Sequence, residues 1–453
     1  MDTSVLFLTS FILSYLTFLF FYLKKEKFDF FSPYFLYPII FFIYSYAGIL
    51  FYNEYQSDIF GNYLGENIGL KYLQTCLIGL FGFYFGFYFV SKYKIQTKII
   101  PSVNKKVFNY FIIFYCILSL IVNFNGIYSQ FDIFHIKSYG DISFDSRINL
   151  RNNKEEALIE ILFQTTPIFL FIYFCFESFK KSNFLFKYLY ITPISLLLIS
   201  SFLSGTRAVF VSYLLFIFFY LYFKTDKLKS ISIYTGIFYL FSAIFTYLII
   251  NILPIIRSSS SFSEMYILFE SFYNQYGFTF LKLQNSGELQ TSINLQKLQH
   301  EIINNNQNYT YGLNLLNDLF VFIPRIFFEN RPLPTSELFA SKYYNDIYTQ
   351  GGGMGMFVLI DGYWSFGNIG VFISCFLFSI FLLTIYNSIS RSLNNNPTSI
   401  FIFIIYFQSF MISSVRGGML LSIRSFFLGI FVFYLIALFS TSRIFLKKIT
   451  NNA

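Results

Sequence analysis

Apolar runs of about twenty residues recur along this chain, each closed by a polar or charged stretch. They fall near residues 4–23, 31–52, 68–90, 107–125, 157–176, 184–203, 208–223, 231–252, 364–386, 398–415 and 422–440. Such a run is the length a helix needs to cross a hydrocarbon core of about 30 Å. Apolar residues are continuous within each run and do not alternate with period two, which argues against a β-barrel. The pattern predicts an all-α polytopic integral membrane protein with about eleven transmembrane helices. The least separated pair lies between 184 and 223, parted only by Ser204-Gly205-Thr206-Arg207. The first run ends in Lys24-Lys25-Glu26-Lys27 with no small-residue cleavage site. It therefore reads as a retained span and not a signal peptide.

The polar intervals set the organisation. An N-terminal bundle of about eight spans occupies 1–252 and carries a polar external loop at 127–156. A long polar segment at 253–355 follows, and a C-terminal bundle of about three spans at 356–453 closes the chain. Binding and catalytic residues concentrate on such connecting segments. Within the long one, 265–283 places Ile267, Leu268, Phe272, Tyr276 and Phe280 at helical intervals, and 313–328 does so with Leu315, Leu316, Leu319, Phe320 and Ile323. Both predict amphipathic helices that lie on the membrane or cover the bundle mouth as a lid.

Composition and charge then orient the chain. Only 12% of its 453 residues are charged, against roughly 25% in a soluble domain. Basic residues gather in alternate connections: 24–27, 92–106, 180–187, 224–229, Arg391 and 443–448. The interval 53–66 has acidic residues and neither Lys nor Arg. Because cytoplasmic loops carry the basic excess, the C-terminus is expected inside, with the N-terminus and the long segment outside. The net charge of +9 is thus mostly an orientation signal and not a nucleic-acid footprint. Cys76, Cys116, Cys175 and Cys375 all fall in apolar runs, which predicts no disulfide framework. Two histidines, His135 and His300, with no Cys/His cluster argue against a metal site.

The arginines carry the sharpest chemical signal. Cytoplasmic connections use mostly Lys, whereas the outer side uses Arg207, Arg257, Arg325, Arg331, Arg416 and Arg424, several at span ends. A planar, permanently charged fork suits phosphate or carboxylate. Arg207, Arg416 and Arg424 come from separate spans and are candidates to converge on one outer cavity; snorkelling to headgroups or pairing with acids is the other reading of each. Such a cavity fits a diphosphate leaving group, whose growing charge fixed guanidinium groups would stabilise during glycosyl transfer from a polyprenyl diphosphate. A base must take the acceptor proton. Asp361, Glu337, Glu329 and His300 are the outer candidates; Asp361 opens a span, where an acid also caps helix amides. His300 follows a Gln/Asn-rich stretch and reads as a solvated loop histidine. The run Gly351-Gly352-Gly353-Met354-Gly355 is a hinge or a phosphate cradle, and it lacks the ending of a nucleotide-binding loop.

Four segments, in order, resemble the bacterial Wzy-type polymerases of O-antigen and capsule repeat units. They are Leu203-Ser204-Gly205-Thr206-Arg207; Phe322-Ile323-Pro324-Arg325 with Asn330-Arg331-Pro332; Asp361-Gly362-Tyr363-Trp364-Ser365-Phe366-Gly367-Asn368-Ile369-Gly370; and Val415-Arg416-Gly417-Gly418. Arg331 replaces a usual lysine, and Asp361 stands where Glu is common. The resemblance implies an integral-membrane fold of the GT-C type. It also implies transfer of the growing glycan from undecaprenyl diphosphate to an incoming lipid-linked repeat unit, on the outer face of the bacterial cytoplasmic membrane, without metal, cofactor or nucleotide sugar. In that scheme Asp361 orients or deprotonates the acceptor, and Arg207, Arg416 and Arg325 hold the diphosphate or its glycan, as Arg331 and Arg424 are placed to do. Tyr363 and Trp364 stack on sugar. A chain-length regulator and a flippase are the candidate protein partners.

Two alternatives stay open on sequence. An O-antigen ligase would be expected to show a histidine shortly before the late span, and 351–364 has none. A lipid-linked oligosaccharide flippase would be expected to show duplicated halves or charges at mid-membrane depth, and neither is visible.

Overall fold

The computed structural model describes residues 3–25, 32–46, 66–93, 95, 105–129, 131, 163, 166–181, 184–203, 210–214, 216–218, 262–276, 290–320, 322–323, 328, 330–349, 354–392 and 397–441. The described part is all-α. Its main helices are α1 (Thr3–Lys25), α2 (Pro33–Phe41), α3 (Glu66–Tyr93), α4 (Lys105–Val122), α5 (Thr166–Lys181), α6 (Phe184–Leu203) and α7 (Phe262–Tyr276). They continue with α8 (Gln290–Ile303), α9 (Leu313–Phe320), α10 (Thr335–Tyr343), α11 (Val358–Ser392), α12 (Pro397–Phe407) and α13 (Ser414–Thr441). Three contain spans long and apolar enough to cross a membrane, at Gly69–Tyr93, Val358–Ser390 and Gly418–Leu435. Shorter apolar helices lie in α1, α4, α5, α6 and α12. This is a multi-pass membrane protein with at least three spanning helices. The predicted run at 231–252, half of the run at 208–223 and the loop at 132–162 lie outside the described residues.

Two compact units divide the chain. One holds Met1–Ile100, Lys282–Ser392 and Ile405–Leu428; the other holds Pro101–Leu281, Leu393–Ile404 and Gly429–Ala453. In the second, aromatic rings fill the core: Phe108 meets Tyr173 at 6.2 Å, Tyr173 meets Phe401 at 4.7 Å, and Phe401 meets Phe433 at 5.3 Å between centroids. Phe210 packs on Leu198, Phe202, Leu214 and Met265, tying α7 to α6.

The first unit is centred on α3 against α11. A methyl at Gly82 would lie 2.8 Å from the Phe372 carbonyl oxygen, and one at Gly86 would collide with Ser379. Small residues on one face let the two backbones approach, which is how helices associate in lipid without a hydrophobic driving force between them. Tyr37 and Phe378 pack around Phe83 at 4.6 and 6.1 Å.

α11 is two helices. Phe366 (φ −144, ψ 26) and Gly367 (φ 61, ψ −144) interrupt it, leaving a short arm at 358–365 and a long arm at 368–392. A carbon on Gly362 would sit 2.7 Å from the Gly370 carbonyl oxygen. Eight residues of unbroken helix would put those residues about 12 Å apart along the axis, so the chain folds back on itself here. The break frees the carbonyls of Trp364 and Ser365, which accept from the N–H groups of Thr310 (2.9 Å) and Tyr311 (3.1 Å). Irregular backbone at membrane depth is tolerated only when protein satisfies it in this way. α13 is broken similarly at Gly418 (φ 77, ψ −173).

Candidate active site

The site is assembled where these two breaks meet α9. That helix carries Asn314 and Asp318 four residues apart, on one face. Both are fully buried, while Leu316 and Leu319 are 50% and 51% exposed. The polar face points inward and the leucines outward, the reverse of a helix packed on a soluble core. Phe366, Ile369, Ile373 and Leu377 form an exposed stripe on α11, and the Phe366 ring lies against Gly312 at the start of α9.

Asn314 Nδ2 donates to the Asp361 carbonyl oxygen (3.2 Å), and its Oδ1 accepts from the hydroxyls of Thr310 (2.6 Å) and Ser365 (2.8 Å). One turn on, Asp318 accepts from the Thr335 N–H (2.7 Å) and hydroxyl (2.8 Å). Thr335 opens α10 behind Pro334, and its amide has no partner within its own helix. Asp318 supplies that cap from a distance, at the positive end of the helix. Burial pushes the Asp318 carboxyl up to about 6, and the two Thr335 donors hold it back from rising further.

Asp361 is fully buried on the short arm of α11. Its Oδ2 accepts the N–H of Met419 (3.0 Å), the first amide beyond the break in α13. Glycine is required at 418 twice over: φ is positive, and a Cβ would collide with the Asp361 carboxylate. The other oxygen, Oδ1, is buried with no hydrogen-bond partner. Leaving such an acceptor unmet costs about 1–3 kcal/mol, so its persistence asks for a reason. Asp318 is near enough for the two carboxylates to interact electrostatically.

The structure therefore joins the segments around Asp361 and Arg416, 55 positions apart in the chain, through one hydrogen bond and one glycine. Arg416 lies in the first turn of α13, with its side chain outside the described residues; Arg424 lies beyond the break, half-buried. Tyr363 meets Tyr309 at 6.1 Å, and Trp364 is buried edge-on to Phe339 at 5.6 Å, its Nε1 without a partner. Arg331 donates Nη1 to the Ile323 carbonyl at 3.3 Å. Glu337 is in the first turn of α10, and His300, near the end of α8, stands 3.8 Å from Glu301. Arg207, Arg325, Glu329 and 351–353 lie outside the described residues.

Sequence reasoning did not single out Asn314, Asp318, Thr335 or Ser365. A signal was available, since Asn314 and Asp318, four apart, share a face of a helix whose only other polar residue is Asn317. His300, expected as a solvated loop histidine, instead stands near the end of helix α8, partly exposed, and the amide-bearing residues before it are buried.

A family model described as O-antigen polysaccharide polymerase Wzy matches residues 2–449. Comparison with curated proteins and with solved structures gives no match. The chain belongs to the Wzy polymerase family: it is a multi-pass membrane enzyme that polymerises lipid-linked repeat units of O-antigen or capsule.

Proposed function

We propose that Asp361 is the base of this polymerase, and that the growing glycan on undecaprenyl diphosphate passes to the non-reducing end of an incoming undecaprenyl-diphosphate repeat unit. The observation that carries this is the Asp361 carboxylate itself, one oxygen fixed by Met419 N–H and the other buried without a partner. The acceptor hydroxyl oxygen bonds to the donor's anomeric carbon. The bond from that carbon to the diphosphate oxygen breaks, its electron pair leaving with the diphosphate. Asp361 Oδ1 takes the acceptor proton. Arg207 and Arg416 stabilise the departing charge, Arg325, Arg331 and Arg424 hold diphosphate or glycan, and Tyr363 and Trp364 stack on sugar.

The reaction takes place on the outer face of the bacterial cytoplasmic membrane, in a GT-C-like bundle of about eleven spans divided as 1–252, 253–355 and 356–453. The outward leucines of α9 rest on lipid, and α9 moves aside to admit the lipid-linked substrates to Asp361. No metal or cofactor takes part. A flippase supplies the substrates, and a chain-length regulator acts on the product.

Complementation of a deletion strain tests the reading. Cells lacking the chain should hold single lipid-linked repeat units at the outer surface, and Asp361→Asn at normal abundance should leave them unpolymerised. A full-length glycan ladder restored by Asp361→Asn removes the base from the scheme. Loss of even the single surface repeat in the deletion strain points to a flippase instead.

A further inference from the structure

α8 is the most polar helix of the first unit, and it is buried. Thr291, Ser292, Asn294, Gln296 and Gln299 are each at most 4% exposed. Part of this polarity is wired into the fold: Thr291 donates to the Tyr44 carbonyl (3.2 Å) and Asn294 Nδ2 to the Gly355 carbonyl (2.9 Å). Gln299 Nε2 donates to the Thr75 hydroxyl (2.9 Å), which donates to Asn368 Oδ1 (2.8 Å). The wiring stops short at Gln296 Nε2 and Gln299 Oε1, both buried and without a partner. Buried amide groups are normally satisfied, and these two lie three residues apart, on one helix face.

What this face meets is also unusual. Thr75 and Asn368 are polar residues inside two candidate spans, Asn368 being the first residue past the break in α11. Tyr363 interacts with both Gln299 and Tyr309, and Tyr309 rests against Gly367 in the break itself. Polar side chains in a span are costly and mark functional surfaces, as do interrupted helices. The face offers an amide donor, an amide acceptor, hydroxyls and aromatic rings. Among the described residues it offers no charge: Lys297 turns away to the Tyr343 carbonyl (3.4 Å) and the Tyr344 ring (4.3 Å).

We infer that the Gln296–Gln299 face of α8, with Thr75, Asn368 and Tyr363, is a saccharide subsite that selects an uncharged, hydroxyl-bearing sugar of the repeat unit. Each sugar hydroxyl both donates and accepts, so one ring can satisfy the Gln299 oxygen and the Gln296 nitrogen together. A carboxylated sugar would be buried there without a counter-charge. The inference rests on the glycosyl-transfer reading and deepens it: Tyr363 and Asp361 share the short arm of α11, on different faces.

The test uses the full chain in lipid nanodiscs, with the single lipid-linked repeat unit isolated from deletion cells as probe. Gln296→Leu removes an unpaired amide without removing a hydrogen bond. If that amide meets no ligand, the variant melts at or above the parent temperature and keeps the parent KM, and the subsite is overturned. If it reads a sugar, the variant still melts at or above the parent temperature, but KM rises at least about fivefold with kcat little changed. Direct binding separates this from the chemistry: Asp361→Asn should bind the repeat unit, and Asp361→Asn with Gln296→Leu should bind it at least about fivefold more weakly. Repeat units bound in a Gln296-dependent way but never joined by the parent protein would sink the glycosyl-transfer reading and leave the subsite standing. A repeat unit with its primary alcohols oxidised to carboxylates should compete poorly; equal competition overturns the selection for an uncharged sugar.

Discussion

α3 and α11 lie against each other, yet they use glycine in opposite ways. In α3, Gly82 and Gly86 sit in an unbroken helix and serve only to bring it close to its neighbour. In α11, Gly367 ends one helix and lets another begin, with Ser365 and Asn368 on either side of the break and Asp361 on the short arm before it. The contrast follows from the solvent. A span surrounded by lipid keeps every backbone hydrogen bond inside itself, so a break survives only where protein groups meet the freed carbonyls. Here Thr310 and Tyr311 do so. Substrates that must leave lipid for a polar site would enter at such a place.

The comparison can be broken most severely at Gly418, the second break. Gly418→Ala must hold a side chain at φ 77 and push the Asp361 carboxylate off the Met419 amide. Backbone strain of about 1–3 kcal/mol adds to overpacking of about 1–3 kcal/mol. Polymer should disappear and cellular abundance should fall. Normal ladders from Gly418→Ala would show that the two breaks are not one unit. Gly86→Val in α3 should cost only the overpacking, about 1–3 kcal/mol. Its abundance should drop while activity per folded molecule stays near the parent. Lost specific activity there would mean that helix spacing, and not the break, governs the site.

A smaller effect should separate the break from its support. Asn314→Leu removes the shared acceptor of the Ser365 and Thr310 hydroxyls, which keep the Asp361 and Trp364 carbonyls, and should cost about 0.5–1.5 kcal/mol. Thermal melting and polymer length would both register it, because the same side chain donates to the Asp361 carbonyl. None of this wiring was legible in the sequence. The apolar runs announced α1, α3, α4 and α6, since length and hydropathy are local properties. The break at Phe366-Gly367 was not announced, because it read equally well as the mouth of a span, whereas Gly417-Gly418 falls between the runs at 398–415 and 422–440 and did mark an interruption. The leucines of α9 were visible as a stripe, but in a membrane protein a stripe does not say which way it faces: lipid accepts it as readily as a core does. The burial of the α8 amides was not legible, because amide-rich stretches are usually exposed. Asp361 was legible as a candidate, and its partner Met419 was not, because their contact joins residues 58 positions apart.

The mildest change tests whether Asp318 supports the site through its charge or only through its shape. Its carboxyl titrates near 6 in the fold against an ordinary value of 3.8, with burial the main cause. A carboxyl raised on folding binds more protons folded than unfolded between those values, so stability is greatest below about 4 and declines as pH rises through about 6. Asp318→Asn removes that titration. It also weakens the capping of Thr335, whose N–H and hydroxyl now face a neutral acceptor, and loss of a charge-assisted hydrogen bond offsets most of the gain from deleting a buried charge. The net change at pH 7.5 should be under about 1 kcal/mol, while the part of the melting-temperature decline between pH 4.5 and 6.5 that belongs to this carboxyl should vanish. If the decline is unchanged in Asp318→Asn, another group titrates there, and the charge of Asp318 is not what α9 contributes to Asp361.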